Sequence, residues 1–584
     1  MHSRWLVNRT NQEYINYLCK VTSLTPAFVQ ILINRGLKTP NDISDFLNPT
    51  LSNLSDPFKI SGIQIAVERI RRALRGGERV LVYGDYDTDG LVSTAIMVHA
   101  LRQLGLDVHY FIPNRALHGY GFNLAGLKRA KELGAKLILT VDCGITSFET
   151  AALSKKEGID VIITDHHEPL ISAEGFQTSE LPSYLLPDAI AVINPKISGP
   201  ESHSETNLLT NLSGAGVAFK IIHALSAIYD SRLTCHDFLD LAAVGTIADV
   251  VPLIGENRII VKEGLRIIEN GTRPGLDALK KIAGISEKGV KSNLLSFTMI
   301  PRINAAGRVS DANNVVKLFL TDSENEAIEI SSWLDKLNSE RQKTEEEIYQ
   351  EAIFKLNSKG IRPAIVLSSE GWHPGIIGIV ASKIAETFYR PTFIISVEGK
   401  SARGSARSIP PFDIYKGLAL CREFLTDYGG HRQAAGFRLR SEDIPSFEEK
   451  INMVVNETLS EDELMPSVEI DADVNLSHIN FKLINELNLL EPIGPGNPEP
   501  LLGSKNLEVF YPRIVGNNHL KMKLRQQSYF IDAIGFDMAG LFERLGKTTM
   551  IDAVFTPFIN EWDGTKRLQL NLKAIRTSTP VISQ

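Results

Sequence analysis

Cysteine is scarce in this chain. Its four copies, Cys19, Cys143, Cys235 and Cys421, form no C-x-x-C pair. That excludes a disulfide framework and a cysteine-rich structural zinc site, and points to a reducing compartment. Long apolar runs are missing as well, since crossing a bilayer takes about 20 apolar residues. The opening Met1-His2-Ser3-Arg4-Trp5 has no apolar signal core, so a cytoplasmic protein is expected. Charge of one sign is not in excess: the net charge of −7 over 584 residues gives no wholesale attraction to nucleic acid. Any such binding must come from local Lys and Arg patches. Internal repeats, low-complexity tracts and a Walker-type phosphate loop are also absent.

What remains is an ordinary globular composition, 43% hydrophobic and 22% charged, on a chain too long for one core. The pattern divides into an N-terminal helical extension (1–58), an α/β domain (59–321), a connecting helix (322–360), a second α/β domain (361–457) and a β-rich tail (458–584). Thr25-Pro26 and Thr39-Pro40 read as helix starts. Arg79 to Tyr83, Val108 to Ile112, Lys136 to Val141, Asp160 to Ile163 and Ala189 to Ile193 read as short strands separated by helices such as Leu91 to Leu104. That alternation implies a mostly parallel sheet covered on both faces. Ser323 with Glu326 fits a capping box opening the long helix, and Gly360 stops it. In the tail, Trp562-Asp563-Gly564-Thr565 reads as a hairpin turn, and the run of short strands suits a small OB-like barrel.

The acidic residues carry the chemistry. Strand 79–83 ends in Gly84-Asp85-Tyr86-Asp87-Thr88-Asp89-Gly90, strand 136–141 in Asp142-Cys143-Gly144, and strand 160–163 in Asp165-His166-His167-Glu168. Carboxyl ends of parallel strands are where open α/β sheets form their sites. A lone Asp at a strand end is a cap or turn former, but three such ends put several carboxylates into one crevice. Such a cluster repels itself, and divalent cations relieve the repulsion. Mixed carboxylate and imidazole donors point to two ions of Mn²⁺ or Mg²⁺, with Asp142 able to bridge them. The spacing Asp85, Asp87, Asp89, Gly90 also matches the start of an EF-hand loop, yet position 12 falls on Ile96, which cannot bind calcium. Asp249 is a lone acid in the apolar run Leu241 to Leu253 and needs a partner there.

Taken together these residues resemble the DHH phosphoesterase superfamily, named for a triplet that stands here as Asp165-His166-His167. The order continues through Gly245-Thr246-Ile247-Ala248-Asp249, Gly371-Trp372-His373-Pro374-Gly375 and Gly429-Gly430-His431. Within the superfamily the layout is similar to the bacterial single-strand-specific 5′→3′ exonucleases. The resemblance implies an α/β DHH domain with a mostly parallel sheet, a long connecting helix, a DHH-associated α/β domain and a C-terminal OB-like barrel. It implies metal ligands at Asp87, Asp89, Asp142, His166 and Asp249, with His167 a further ligand or phosphate contact. Asp85 and Asp165 become supporting groups, and His431, beside Gly429 and Gly430, sits across a cleft to bind phosphate.

Arginines suit a DNA end because their planar fork grips phosphate with two hydrogen bonds. Candidates are Arg115, Arg302 and Arg308, with Ser405 and Arg407 in Gly404-Ser405-Ala406-Arg407-Ser408, read as a turn whose amides cradle phosphate. Lys521, Lys523 and Arg525 alternate near Tyr511, Tyr529 and Phe530, a pattern that fits single-strand binding by charge and stacking. The expected protein is a metal-dependent exonuclease on single-stranded DNA that releases 5′-mononucleotides. By resemblance it acts in recombination and repair alongside single-strand-binding protein and a recombination helicase. Alternatives are a DHH phosphodiesterase on short oligonucleotides or cyclic dinucleotides, and a non-catalytic DNA-binding replication factor.

Overall fold

The computed structural model describes residues 3–119, 121–171, 184–197, 208–229, 232–271, 273–285, 289–309, 312–545, 550–562 and 564–578. The chain forms two compact units, one of residues 5–300, 316–324 and 469–584, the other of residues 1–4, 301–315 and 325–468.

In the first unit, β1 (Arg79–Tyr83), β2 (Asp107–Phe111), β3 (Leu137–Val141), β4 (Asp160–Thr164) and β5 (Ala191–Ile193) form a sheet in the order β2-β1-β3-β4-β5. Every neighbouring pair is parallel. The centre is built of Val, Leu and Ile because both faces are covered: β3 is buried along its whole length. The chain order reverses between β1 and β3, and a crevice opens there at the carboxyl ends. Helix α1 (Thr88–Gln103) starts three residues earlier than its apolar run suggests, because Asp87 caps it by accepting from Gly90 N at 3.1 Å. This helix is buried on almost every side, so it shows no amphipathic stripe. Helices α2 (Gly214–Ser226) and α3 (Leu239–Ala248) complete the layer around it.

The second unit holds nearly all of α4 (Glu324–Lys359), a helix of 36 residues. Its sheet comprises β6 (Ile365–Glu370), β7 (Thr392–Glu398), β8 (Ser401–Arg407), β9 (Leu425–Gly430) and β10 (Ala434–Arg440), in the order β9-β10-β8-β7-β6. Ile348, Ala352 and Leu356 of α4 pack on one face of this sheet with helix α5 (Ile377–Phe388) and Trp372. The reading of Gly404 to Ser408 as a turn is wrong. Residues through Arg407 lie in β8, laddered to β7 on one side and β10 on the other, so these amides are engaged in the sheet. Gly404 is small for a different reason: any Cβ there would overlap the Phe437 ring.

The tail forms a closed barrel of β11 (Leu502–Val515), β12 (His519–Gln526), β13 (Tyr529–Gly535), β14 (Met550–Trp562) and β15 (Thr565–Thr577), closed by the β11–β14 pairing. Asp563, in the expected hairpin turn, lies outside the described residues. The turn's flanks pair as read, Trp562 with Thr565. The expected helix starts also occur, at Pro26–Asn34 and at Pro40–Leu47 with a Thr39/Asp42 capping box. These helices do not form a core of their own. Phe28, Ile31 and Leu32 share one apolar cluster with Leu483, Leu502, Leu524, Phe555 and Leu572. Arg258, 1% exposed, reinforces the join. It stacks 4.0 Å over Phe46 and donates to the carbonyls of Phe46, Leu489 and Leu490 at 2.8–2.9 Å.

Candidate active site

The crevice of the parallel sheet gathers Asp85, Asp87 and Asp89 after β1, Asp142 after β3, His166 and His167 after β4, and Asp249 at the end of α3. Three sets of ligand atoms lie within 4.8 Å of one another: Asp142 with His166 and His167, Asp89 with His166 and Asp249, and Asp85 with Asp87 and Asp142. His166 is the hub, its Nε2 lying 3.1 Å from Asp142, 3.5 Å from Asp249 and 4.0 Å from Asp89. All five expected ligands therefore fall into one cluster. Asp85, expected as support, stands among them, 2% exposed.

Local structure explains each placement. Asp142 has a φ of 61°, in the left-handed region that costs a residue with a Cβ about 1–2 kcal/mol. That backbone turns its carboxylate into the crevice. Asp89, in the first turn of α1, accepts from the amides of Gly214 and Ala215 at 2.6 and 2.9 Å, so the start of α2 fixes it. Asp249 stands at the C-terminal end of α3, where the helix dipole disfavours an anion, so capping does not account for it. Asp165 accepts from the amides of Ile145, His166 and His167 and bonds Nδ1 of His167 at 2.7 Å. In the neutral ring that bond puts the lone pair of His167 on Nε2.

The electrostatics describe a site made for cations. Burial with Asp87 alongside pushes Asp89 up to about 7, and burial with Asp89 and Asp87 alongside pushes Asp249 up to about 8. Burial, with Asp89 and Asp87 alongside, also raises Asp142 well above the usual carboxylate range. Burial and the neighbouring His167 drive His166 down to about 3. Burial opposes charge on His167, but the bond to Asp165 and its negative charge outweigh that and lift it to about 9. Burial alone would raise Asp165, yet His167 holds it ionised at about 2. Among the described residues, Asp142 Oδ1 and His166 Nε2 are buried without a hydrogen bond and face each other. Two electron-pair donors so placed fit a shared divalent cation.

The remaining candidates divide between the units. Arg115 opens a short helix, and its side chain lies outside the described residues. The others belong to the second unit. Arg308 donates to the Gly375 carbonyl at 3.1 Å, and Arg407 contacts Ser382 and Ser405 at 3.1 and 3.3 Å. Arg308, Ser405 and Arg407 thus collect around the start of α5. Arg302 is ion-paired to Asp335 at 2.8 Å. His431 is exposed at the hairpin after Gly429 and Gly430, its amide donating to the Ala434 carbonyl. Trp372 serves packing: it is buried and bonds Glu351.

Three family models match: the DHH family, N-terminal domain over residues 79–246, the DHHA1 domain over 362–457, and the RecJ OB domain over 470–574. The single-stranded-DNA-specific exonuclease RecJ of Bacillus subtilis (strain 168) is 37% identical over 575 residues, 98% of this chain and 70% of that protein. RecJ of Salmonella typhimurium is 33% identical over 571 residues, 94% of this chain and 95% of its own. The chain belongs to the RecJ family. Among solved structures, RecJ of Thermus thermophilus in complex with Mn²⁺ superposes with a TM-score of 0.82 at 30% identity, covering 99% of this chain and 80% of that one. The same protein has also been solved with Mg²⁺, at a TM-score of 0.76.

Sequence reasoning missed some working parts of this RecJ-family site. Gly214 abuts Asp142 so closely that any Cβ would overlap the carboxylate, and a Cβ at Gly245 would overlap Asp89 and Ala215. The signal was the small-residue run Ser213-Gly214-Ala215-Gly216, which marks a helix start built for close approach.

Proposed function

We propose that the chain is a metal-dependent exodeoxyribonuclease that degrades single-stranded DNA from a 5′ end and releases 5′-mononucleotides. The observation that carries this reading is the convergence of Asp87, Asp89, Asp142, His166 and Asp249 on one crevice, in a chain matching RecJ relatives almost end to end. Those five side chains would hold two Mn²⁺ or Mg²⁺ ions, with His167 a further ligand or a contact to the scissile phosphate. Bound there, the ions supply an ionised water at neutral pH and positive charge for the phosphodiester oxygens.

The chain's own residues do the rest. Asp142 belongs to two of the three donor sets, which supports a bridging role. Asp165 fixes the tautomer and orientation of His167, and Asp85 is a supporting group beside Asp87 and Asp142. Arg115, Arg302, Arg308, Ser405, Arg407, Gly429, Gly430 and His431 bind phosphates of the strand. Lys521, Lys523 and Arg525 of β12 hold a length of single strand against the aromatic residues beside them. The reading places the enzyme in the cytoplasm, in recombination and repair, with single-strand-binding protein and a recombination helicase as partners.

The test is digestion with Mn²⁺ of 5′-labelled long single strands, duplexes and dinucleotides. Labelled mononucleotide should appear first from the single strand. Asp142→Ala should reduce the rate more than about 100-fold, beyond the range for groups that only support ligands. Cleavage of dinucleotides alone, or full activity in Asp142→Ala, would sink the reading.

A further inference from the structure

Three strand ends at the carboxyl edge of the sheet, with the end of α3 beside them, carry acids and imidazoles. Another strand end, that of β5, carries Asn194-Pro195-Lys196. Asn194 is fully buried and locks this segment to the metal-binding triplet. Its side-chain amide donates to the His167 carbonyl at 2.8 Å, and its oxygen accepts from the Lys196 amide at 2.9 Å. Lys196 therefore cannot drift relative to His167. Its ammonium is 2.8 Å from Glu168, the residue directly after the triplet. The lysine side chain is 28% exposed and the glutamate 66%, so the pair is open to solvent. Its positive charge reaches inward, acting on both His166 and Asp249.

An exposed pair of this kind adds little stability, typically about 0–1 kcal/mol. A rigid backbone mount with a cation at its tip is more than a surface ion pair needs. It suits a group that exchanges one anion for another. We propose that Lys196 is a substrate-contact residue whose ammonium leaves Glu168 for a phosphate oxygen of the bound strand, with Glu168 as the resident competitor. This rests on the phosphodiesterase reading above.

The two partners then have opposite signatures. Removing the cation weakens substrate binding, and removing the competitor strengthens it. Lys196→Met should raise the KM for single-stranded DNA about tenfold, the scale of one charge-assisted hydrogen bond, with kcat within about twofold. It should also flatten the slope of log KM against log salt by about 0.7, one phosphate contact on a single strand. Glu168→Gln should lower KM about threefold and leave that phosphate contact in place. The wild-type enzyme, both variants and the double variant are assayed together with Mn²⁺, with circular dichroism melting as the check on folding. Equal shifts of KM in the same direction for both single variants, or an unchanged salt slope in Lys196→Met, would overturn the assignment. A wild type without nuclease activity would instead overturn the reading on which it rests.

Discussion

At the scale of single residues, the site depends as much on what is missing as on what is present. Gly214 and Gly245 leave the space that the Asp142 and Asp89 carboxylates occupy. Gly214→Ala forces either the start of α2 or Asp142 to move, although alanine is otherwise the better helix former. The expected result is a loss of Mn²⁺-dependent activity of about 100-fold, since an ångström of displacement in a preorganised site has that effect. Thermal melting should change far less, and titration with Mn²⁺ should show weakened binding. An unaltered Mn²⁺ titration would contradict the account. The clustering of Asp87, Asp89, Asp142 and His166 was readable because these groups stand at strand ends, where spacing along the chain predicts convergence. Asn194 and the amides on Asp89 were not: the small-residue run at 213–216 marks a helix start, but Gly214 meets Asp89 across 125 positions and nothing local names that partner.

At the scale of elements, the strands of the parallel sheet are legible as Val- and Ile-rich runs, while β8 reads as a turn. Gly, Ser and Ala serve turns and crowded strands alike, and only Phe437 across the sheet decides between them. The barrel face shows the opposite case. Alternation along β12 does place Lys521, Lys523 and Arg525 together, between the apolar Leu520, Met522 and Leu524 of the core. Arg525 lies 5.0 Å from the Phe510 ring and 5.7 Å from the Phe530 ring and is paired with Glu508. Tyr511, Tyr529 and Phe530 stay half or more exposed, at 80%, 50% and 53%. On the proposed reading these exposed aromatic faces are where bases stack. Phe530→Ala should weaken binding of a long single strand by about 1–3 kcal/mol in fluorescence anisotropy, the usual cost of one stacked base. Strands too short to reach the barrel should be cut at the wild-type rate. Equal binding of long strands by the variant would remove the barrel face from the reading.

At the scale of the molecule, the amino-terminal helices and the carboxyl-terminal barrel share one core, and Arg258 is the bolt through the join. Arg258→Met keeps the stacking volume over Phe46 but removes a donor from the Phe46, Leu489 and Leu490 carbonyls, of which Leu490 still accepts from Asn497. It should lower stability by about 1–3 kcal/mol, read as a reduced denaturation midpoint, with the Mn²⁺-dependent activity intact under native conditions. A midpoint within error of wild type would mean the carbonyls find other donors. The composition could not disclose this arrangement, because each half of the shared core reads as an ordinary amphipathic segment. It bears on how the protein is made. A ribosome delivers residues 28–32 first and their neighbours from 502 to 572 much later. At about 5–20 residues per second, roughly 470 intervening residues take something like half a minute to a minute and a half. For that interval the first helices are unfinished apolar surface, a natural client for a holding chaperone, while the strands carrying the nuclease centre can already pair behind them. The blade of the enzyme is forged before its handle is closed.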